Sequence, residues 1–257
     1  MPELPDLQVF AMNLNTILRG KKLLQIKIVN DKKLKGKQEE LSENLDGNVL
    51  ESVYRTGKEL RFKFSNNILL GMHLMLHGNL YFFNKNNENK FTIAELYFKD
   101  KGLALTDWQE MANVALNPVE KKGIDALSQD LDCNYLKKIL QSKAKIKNLL
   151  TNQDVIRGIG NAYADEILWE AKISPFSTAS AISENKIEAL NKAIKNVLTN
   201  AEKQILKKHP DIITGEVRDF LQIHSNDKKV SPGGAAIKVD KKGGRSTYYT
   251  EEQELFV

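Results

Sequence analysis

The chain opens Met1-Pro2-Glu3-Leu4-Pro5-Asp6, and its second and third residues are the first that could do chemistry. Were Met1 removed, Pro2 would present a free secondary amine, with the Glu3 carboxyl beside it to carry protons. The same stretch also suits a helix start: Pro5 fits a first turn without losing a hydrogen bond, and Asp6 complements the positive end of the helix dipole. Taken alone, the hexapeptide leaves both readings open. A second candidate is "NQDVIRGIGNAYADEILWEAKISP", residues 152–175. There Gly158 and Gly160 permit a tight turn and Asn161 opens a helix, which offers backbone N–H groups to an anion such as phosphate.

The elements that must position these groups change character along the chain. Residues 5–19 place Leu7, Phe10, Leu14, Ile17 and Leu18 on one helical face, with Gly20 as a stop. From there to residue 116 the apolar period becomes two, as in Leu24-Ile26-Ile28, Leu60-Phe62-Phe64 and the apolar stretch 68–83, with turn-like clusters such as "NKNNENK" between runs. This predicts an antiparallel β domain carrying an N-terminal helix over 1–116. "NPVEKKGIDALSQD", with Pro118 and Gly123, reads as a linker over 117–130. Helical spacing follows over 131–224, in Leu136, Ile139 and Leu140, then in Ile187, Leu190, Ile194, Val197 and Leu198. Short strands around "PGGAA" and "KKGG" make 225–257 a hairpin too small for its own core. The fold class is α+β and multidomain.

Thirty-eight basic against 33 acidic residues give 257 residues a net charge of +5. The placement matters more: Lys228, Lys229, Lys238, Lys241, Lys242 and Arg245 lie among Tyr248 and Tyr249 near the C-terminus. Such a cluster is either a footprint for nucleic acid or a solvated lysine surface. No apolar run is long enough for a membrane span, the start lacks the pattern of a secretory signal, and Cys133 is the single cysteine. A reducing, intracellular location and no membrane are expected.

The Gly-Ile-Gly-Asn turn at 158–161, followed by Tyr163, Asp165 and Glu166, resembles the helix-two-turn-helix signature of the formamidopyrimidine-DNA glycosylase and endonuclease VIII family. Members begin Met-Pro-Glu-x-Pro-Glu, and this chain departs only at Asp6. The resemblance covers nearly the whole chain. It implies a catalytic β-sandwich at 1–116, a helix-two-turn-helix DNA-binding domain at 131–224 and a finger hairpin at 225–257. It also implies a monomer that acts on damaged double-stranded DNA, as a base-excision-repair glycosylase and abasic-site lyase.

The chemistry of the terminus fits that resemblance. An α-amine titrates near pH 8, against about 10.4 for lysine, so part of it is neutral at physiological pH. The positive end of a helix disfavours the ammonium form further. The resemblance makes Pro2 the nucleophile and Glu3 the proton carrier. Lys58, after Gly57 in "YRTGKELRF", would contact the phosphate beside the lesion. In "GMHLMLHGNLYF", His73 matches a phosphate-contacting histidine, and Met75, Leu76 and His77 match the side chains that fill the stack when the damaged nucleotide is flipped out. Gly160 and Asn161 would contact DNA, and Arg245 matches the finger arginine implicated in δ-elimination. A non-catalytic binder of damaged or abasic DNA is the alternative, and a structural nucleic-acid protein a weaker one.

Two departures stand out. The family's finger usually holds zinc on four cysteines, but Val230, Gly233, Thr250 and Gln253 occupy those positions here. A zincless finger, no metal and no cofactor are expected. The oxidised-purine branch carries Asp-Pro-Arg-Arg-Phe-Gly after a late strand, where this chain has Asp107-Trp108-Gln109-Glu110-Met111-Ala112. Loss of that arginine and phenylalanine leans the substrate towards oxidised pyrimidines and formamidopyrimidines over 8-oxoguanine.

Overall fold

The proline-rich start becomes helix α1 (Leu4–Leu18), which buries Leu7, Phe10, Leu14 and Leu18 on one face. In the computed structural model, which describes residues 1–257, α1 lies in a first unit made of Met1–Glu120 and Ile205–Glu216. Strands β1 (Leu23–Ile28), β2 (Leu50–Thr56), β3 (Glu59–Phe64), β4 (Leu69–His73), β5 (Asn79–Phe83), β6 (Thr92–Phe98), β7 (Gly102–Thr106) and β8 (Asn113–Leu116) complete it, with helix α2 (Gln38–Leu45) between β1 and β2. They form two four-stranded sheets, β1-β6-β7-β5 and β2-β3-β4-β8, antiparallel throughout. One apolar cluster joins Phe10 and Leu14 of α1 to Phe62 and Phe64 of β3, Leu70 and Met72 of β4, and Leu96 and Leu103 of the other sheet. This is a β-sandwich with α1 packed into its core.

Two local features differ from the sequence pattern. Leu24, expected to face inward with Ile26, is 52% exposed, while Leu23 is buried. The pairing with β6 shifts between Leu23 and Gln25, and such a bulge moves the following side chains to the other face. Helix α2 has only Leu41 and Leu45 on its buried face, too few to mark a helix inside a β-rich stretch.

The second unit comprises Lys121–Gln204 and Val217–Val257. Its elements begin with β9 (Ile124–Asp125), α3 (Cys133–Ile139), α4 (Ile146–Thr151), β10 (Ile156–Arg157) and α5 (Asn161–Glu170). Helix α6 (Glu184–Lys208), whose residues from Ile205 onward count with the first unit, and the hairpin strands β11 (Lys238–Lys242) and β12 (Arg245–Tyr249) follow. The period-3.6 pattern of α6 buries Ile187, Leu190, Ile194 and Leu198. The β11–β12 turn is Gly243-Gly244, both at positive φ (58° and 74°), the geometry a two-residue hairpin needs. The fold is therefore a β-sandwich followed by a helical domain with a C-terminal hairpin. No helix is long and apolar enough to cross a membrane.

Candidate active site and nucleic-acid interface

Glu3 is the N-cap of α1, and with Asp6 it forms a reciprocal capping box: the Glu3 N–H donates to Asp6 Oδ2 at 2.9 Å, and the Glu3 side chain accepts from the Asp6 N–H. Both carboxylates thus sit at the positive end of the helix. Pro2 is buried, Glu3 is 4% exposed, and the Met1 ammonium pairs with Glu216. Lys58 lies on the β2–β3 turn after Gly57, whose φ is +57°. Arg55 fixes that turn to α1: its Nε donates to Gln8 Oε1 at 3.0 Å and its Nη1 to the Gly57 carbonyl at 3.0 Å. The turn bearing Lys58, itself 9% exposed, is therefore tied to the helix that Glu3 caps.

Residues 73–78 close a tight turn at the end of β4. Met75 takes φ +52°, Gly78 N–H donates to Leu74 O at 2.7 Å, and a Cβ on Gly78 would lie 2.2 Å from that same oxygen. Only glycine closes this turn. The Met75 N–H donates to His73 Nδ1 at 3.1 Å, so the neutral imidazole carries its proton on Nε2, a donor suited to a phosphate oxygen. Leu76 projects into solvent, 54% exposed. His77 lies against Trp108, with ring centroids 4.9 Å apart. Asp107 organises the loop after β7, accepting N–H bonds from Gln109, Met111 and Ala112 at 2.8–2.9 Å.

In the second unit α4, the turn at 152–160 and α5 make the helix-two-turn-helix. Gln153 braces the turn: its Nε2 donates to Ile159 O at 2.8 Å and its Oε1 accepts from Gly158 N–H at 2.9 Å. Gly158 sits at φ +103°, and Gly160 caps α5 without a side chain. Asn161 Nδ2 donates to Ser246 O on β12 at 2.8 Å, so part of its role is to seat the hairpin. Beside it a buried charge network does the same. Lys147 Nζ reaches Asp165 Oδ1 at 2.6 Å and Thr247 Oγ1 at 2.9 Å. Asp165 Oδ2 meets His224 Nδ1 at 2.8 Å and accepts the Tyr248 N–H at 3.0 Å. Glu166 accepts three N–H groups, from Gln222, Ile223 and His224, each at 2.8 Å. Burial pushes its carboxyl up, although those donors oppose the shift. Arg245 is exposed at the hairpin turn.

The site residues therefore divide between the units. Pro2, Glu3, Lys58, His73 and Met75–His77 belong to the first, and Gly160, Asn161 and Arg245 to the second. The sequence pattern did not single out Lys147, His224 or the Trp108–His77 pair, because each acts through partners remote in sequence.

The profile of the formamidopyrimidine-DNA glycosylase N-terminal domain matches residues 1–114, and that of the family's H2TH domain matches residues 123–209. The formamidopyrimidine-DNA glycosylase of Syntrophomonas wolfei is 32% identical over 275 residues, covering 98% of this chain and 99% of that protein. The chain belongs to this family. Among solved structures, the Lactococcus lactis glycosylase with a FAPY-dG-containing DNA is 26% identical at a TM-score of 0.87, covering 98% of this chain and 100% of that one. MutM in complex with carbocyclic 8-oxo-G-containing DNA is likewise 26% identical at 0.89, with 98% and 100% coverage.

The base of the hairpin departs from the family pattern. Val230, Gly233, Thr250 and Gln253 offer no thiolate or imidazole, so the residues do not fit zinc. Glu252, between the last two of these positions, collects donors instead. Its Oε2 accepts from Ser231 Oγ at 2.6 Å, Trp169 Nε1 at 2.9 Å and Thr250 Oγ1 at 3.0 Å, and its Oε1 from Lys172 Nζ at 3.2 Å. The Ser231 and Trp169 hydrogen bonds lead in holding its carboxyl down to about 2. Gly233 leaves room for this, since a Cβ there would lie 2.4 Å from Glu252 Oε1. Gln253 ties both sides, accepting from Thr250 N–H and donating to Ile173 O, each at 2.9 Å.

Proposed function

We propose that the chain is a bifunctional DNA glycosylase and abasic-site lyase of base-excision repair, acting as a monomer on damaged duplex DNA inside the cell. In this reading 1–116 is the catalytic β-sandwich, 117–130 a linker, 131–224 the DNA-binding helical domain and 225–257 a zincless finger. The observation that carries it is the buried Pro2-Glu3 pair at the capped head of α1, with the Lys58 turn tied to the same helix.

Once Met1 is removed, the Pro2 nitrogen attacks C1′ of the damaged nucleotide and the C1′–base bond breaks, the base leaving with a proton. Glu3 protonates O4′, the sugar ring opens, and the C1′–N bond becomes an iminium. The iminium makes a C2′ proton acidic. Its removal expels the 3′ phosphate, and a second elimination expels the 5′ phosphate. Lys58, His73 and Arg245 hold the flanking phosphates, Gly160 and Asn161 the backbone further along, and Met75, Leu76 and His77 fill the vacated stack.

The substrate reading favours formamidopyrimidines and oxidised pyrimidines over 8-oxoguanine. Formamidopyrimidines are the substrates that give the Syntrophomonas wolfei relative its name. The lean from 8-oxoguanine rests on Gln109 and Met111 standing where arginine and phenylalanine would. The test is borohydride trapping of the Met1-processed protein on an abasic-site duplex. A covalent adduct mapped to Pro2 is expected, and tight binding without one refutes the lyase.

A further inference from the structure

The proposed chemistry leaves one proton without a destination. When the Pro2 nitrogen bonds to C1′, the secondary amine becomes a tertiary ammonium that still carries its N–H proton. Until that proton leaves, the nitrogen has no lone pair with which to expel O4′, and no iminium forms. Glu3 is committed elsewhere at that moment, as the acid that protonates O4′, and its side chain accepts the Asp6 N–H in the capping box. A second group that takes a proton is needed beside the nitrogen.

Glu216 is in place for this. Its Oε1 pairs with the Met1 ammonium, and both residues belong to the first unit. The segment before Glu216 is fixed to the elements around the N-terminus. Asn13 of α1 donates from Nδ2 to Ile212 O at 2.8 Å, the Leu80 N–H of β5 donates to Thr214 Oγ1 at 3.2 Å, and Thr214 Oγ1 donates to Asn79 Oδ1 at 2.8 Å. Ile212 and Ile213 pack into the core of the sandwich. Gly215, at φ +85°, makes the turn that leads to Glu216, a conformation glycine takes without strain. Three covalent bonds separate consecutive backbone nitrogens, so Pro2 N lies within about 4 Å of Met1 N and within about 7 Å of the Glu216 carboxylate. Removal of Met1 leaves the Pro2 amine as the terminal nitrogen on that side, and the Glu216 side chain, 36% exposed, has room to follow it.

We propose that Glu216 is a further catalytic carboxylate, the acceptor of the Pro2 N–H proton. The inference rests on the functional reading above, because only a Pro2 nitrogen that attacks C1′ has this proton to lose. The Pro2 N–C1′ bond forms as the C1′–base bond breaks, and the N–H proton then passes to Glu216. The lone pair so released makes the C1′–N double bond as the C1′–O4′ bond breaks, and O4′ takes its proton from Glu3. The oxygen on C1′ withdraws electrons from the nitrogen, so this ammonium gives up its proton more readily than that of the free amine, and a carboxylate suffices as its base. Two carboxyl groups thus carry opposite proton traffic at one nitrogen, Glu3 giving while Glu216 takes.

The test uses the full Met1-processed chain in single turnover on a formamidopyrimidine-containing duplex, with base release and borohydride-trapped adduct followed in the same samples. In the unaltered protein the two rise together. E216Q keeps the shape of the side chain and removes its basicity, so base release is expected to stay within about threefold while the trappable adduct lags about a hundredfold behind it, with E216D restoring most of the lag. A side chain that merely supported the fold would slow both signals equally. Equal slowing of both, or of neither, overturns the proposal and leaves the glycosylase reading intact. If the unaltered protein releases no base and gives no adduct, the functional reading falls and the role of Glu216 falls with it.

Discussion

Replacing Glu252 by alanine tests how a finger without metal is held. The variant removes the acceptor of four donors. The Lys172 side chain is 41% exposed, so that pair contributes at most about 0.5 kcal/mol. The bonds from Ser231, Trp169 and Thr250 are each worth about 1 kcal/mol net, since water replaces part of what a half-buried carboxylate gives up. E252A therefore costs the second unit about 3 kcal/mol, a fall of roughly 10 °C in its melting temperature. A pH signature accompanies it. The carboxyl is held down to about 2, below its ordinary value of 4.5, so its stabilisation is complete above the ordinary value and is lost as pH falls towards 2. Thermal melts of the full chain between about pH 7 and about pH 2.5 should show wild type and E252A converging in acid, with E252Q between them at neutral pH. Melting temperatures that agree within about 1 °C at neutral pH, or that fall in parallel with acid, refute the argument.

Four further outcomes follow from particular contacts. Lys147→Met leaves Asp165, 0% exposed, without its lysine and should cost about 3–5 kcal/mol in urea unfolding; a cost below about 1 kcal/mol rejects the network. Gly78→Ala drives a Cβ against Leu74 O; binding to an abasic duplex should weaken about tenfold or more while undamaged-DNA binding holds, and equal changes in both reject the stack-filling role of the loop. Arg245→Ala should lower the slope of log affinity against log salt by about 0.9, and an unchanged slope removes Arg245 from the phosphate contacts. Trp169→Ala removes packing and a Glu252 donor together and should cost about 3–5 kcal/mol, more than E252A; a smaller cost reverses that order.

What was legible in the sequence has a common physical basis. The head of α1 and the turn at 158–160 are set by local backbone constraints, Pro5 in a first turn and Gly158 at φ +103°, and local constraints are visible in a short window. The β-sandwich and α6 were visible through their periods. Helix α2 was hidden because two leucines make no period, and Leu24 faces out because a bulge one residue long resets β1. The hairpin's supports were out of reach for another reason. Lys147, Asp165 and His224 meet at 2.6–2.8 Å across 18 and 59 residues of chain, and nothing in the neighbourhood of any one of them names the others. The four positions at the finger base stand out against the family pattern, whereas Glu252 lies between two of them and acts through donors mostly remote in sequence.

At the finger base the metal–thiolate bonds of the wider family give way to a set of weaker interactions around a single carboxylate, Glu252. A structural zinc site contributes about 10–16 kcal/mol to a small domain, far beyond the ~3 kcal/mol of the Glu252 set. The hairpin must therefore draw most of its stability from elsewhere, and the apolar cluster of Trp169, Ile223 and Tyr248, with Ile237 packed on it, is the available source. Each of those side chains is worth about 1.5–3 kcal/mol when buried. Tyr248 also links the cluster to the buried charges through its N–H bond to Asp165. In this arrangement Glu252 orients what packing stabilises, and the hairpin answers to acid and to core mutations where a zinc finger would answer to chelators.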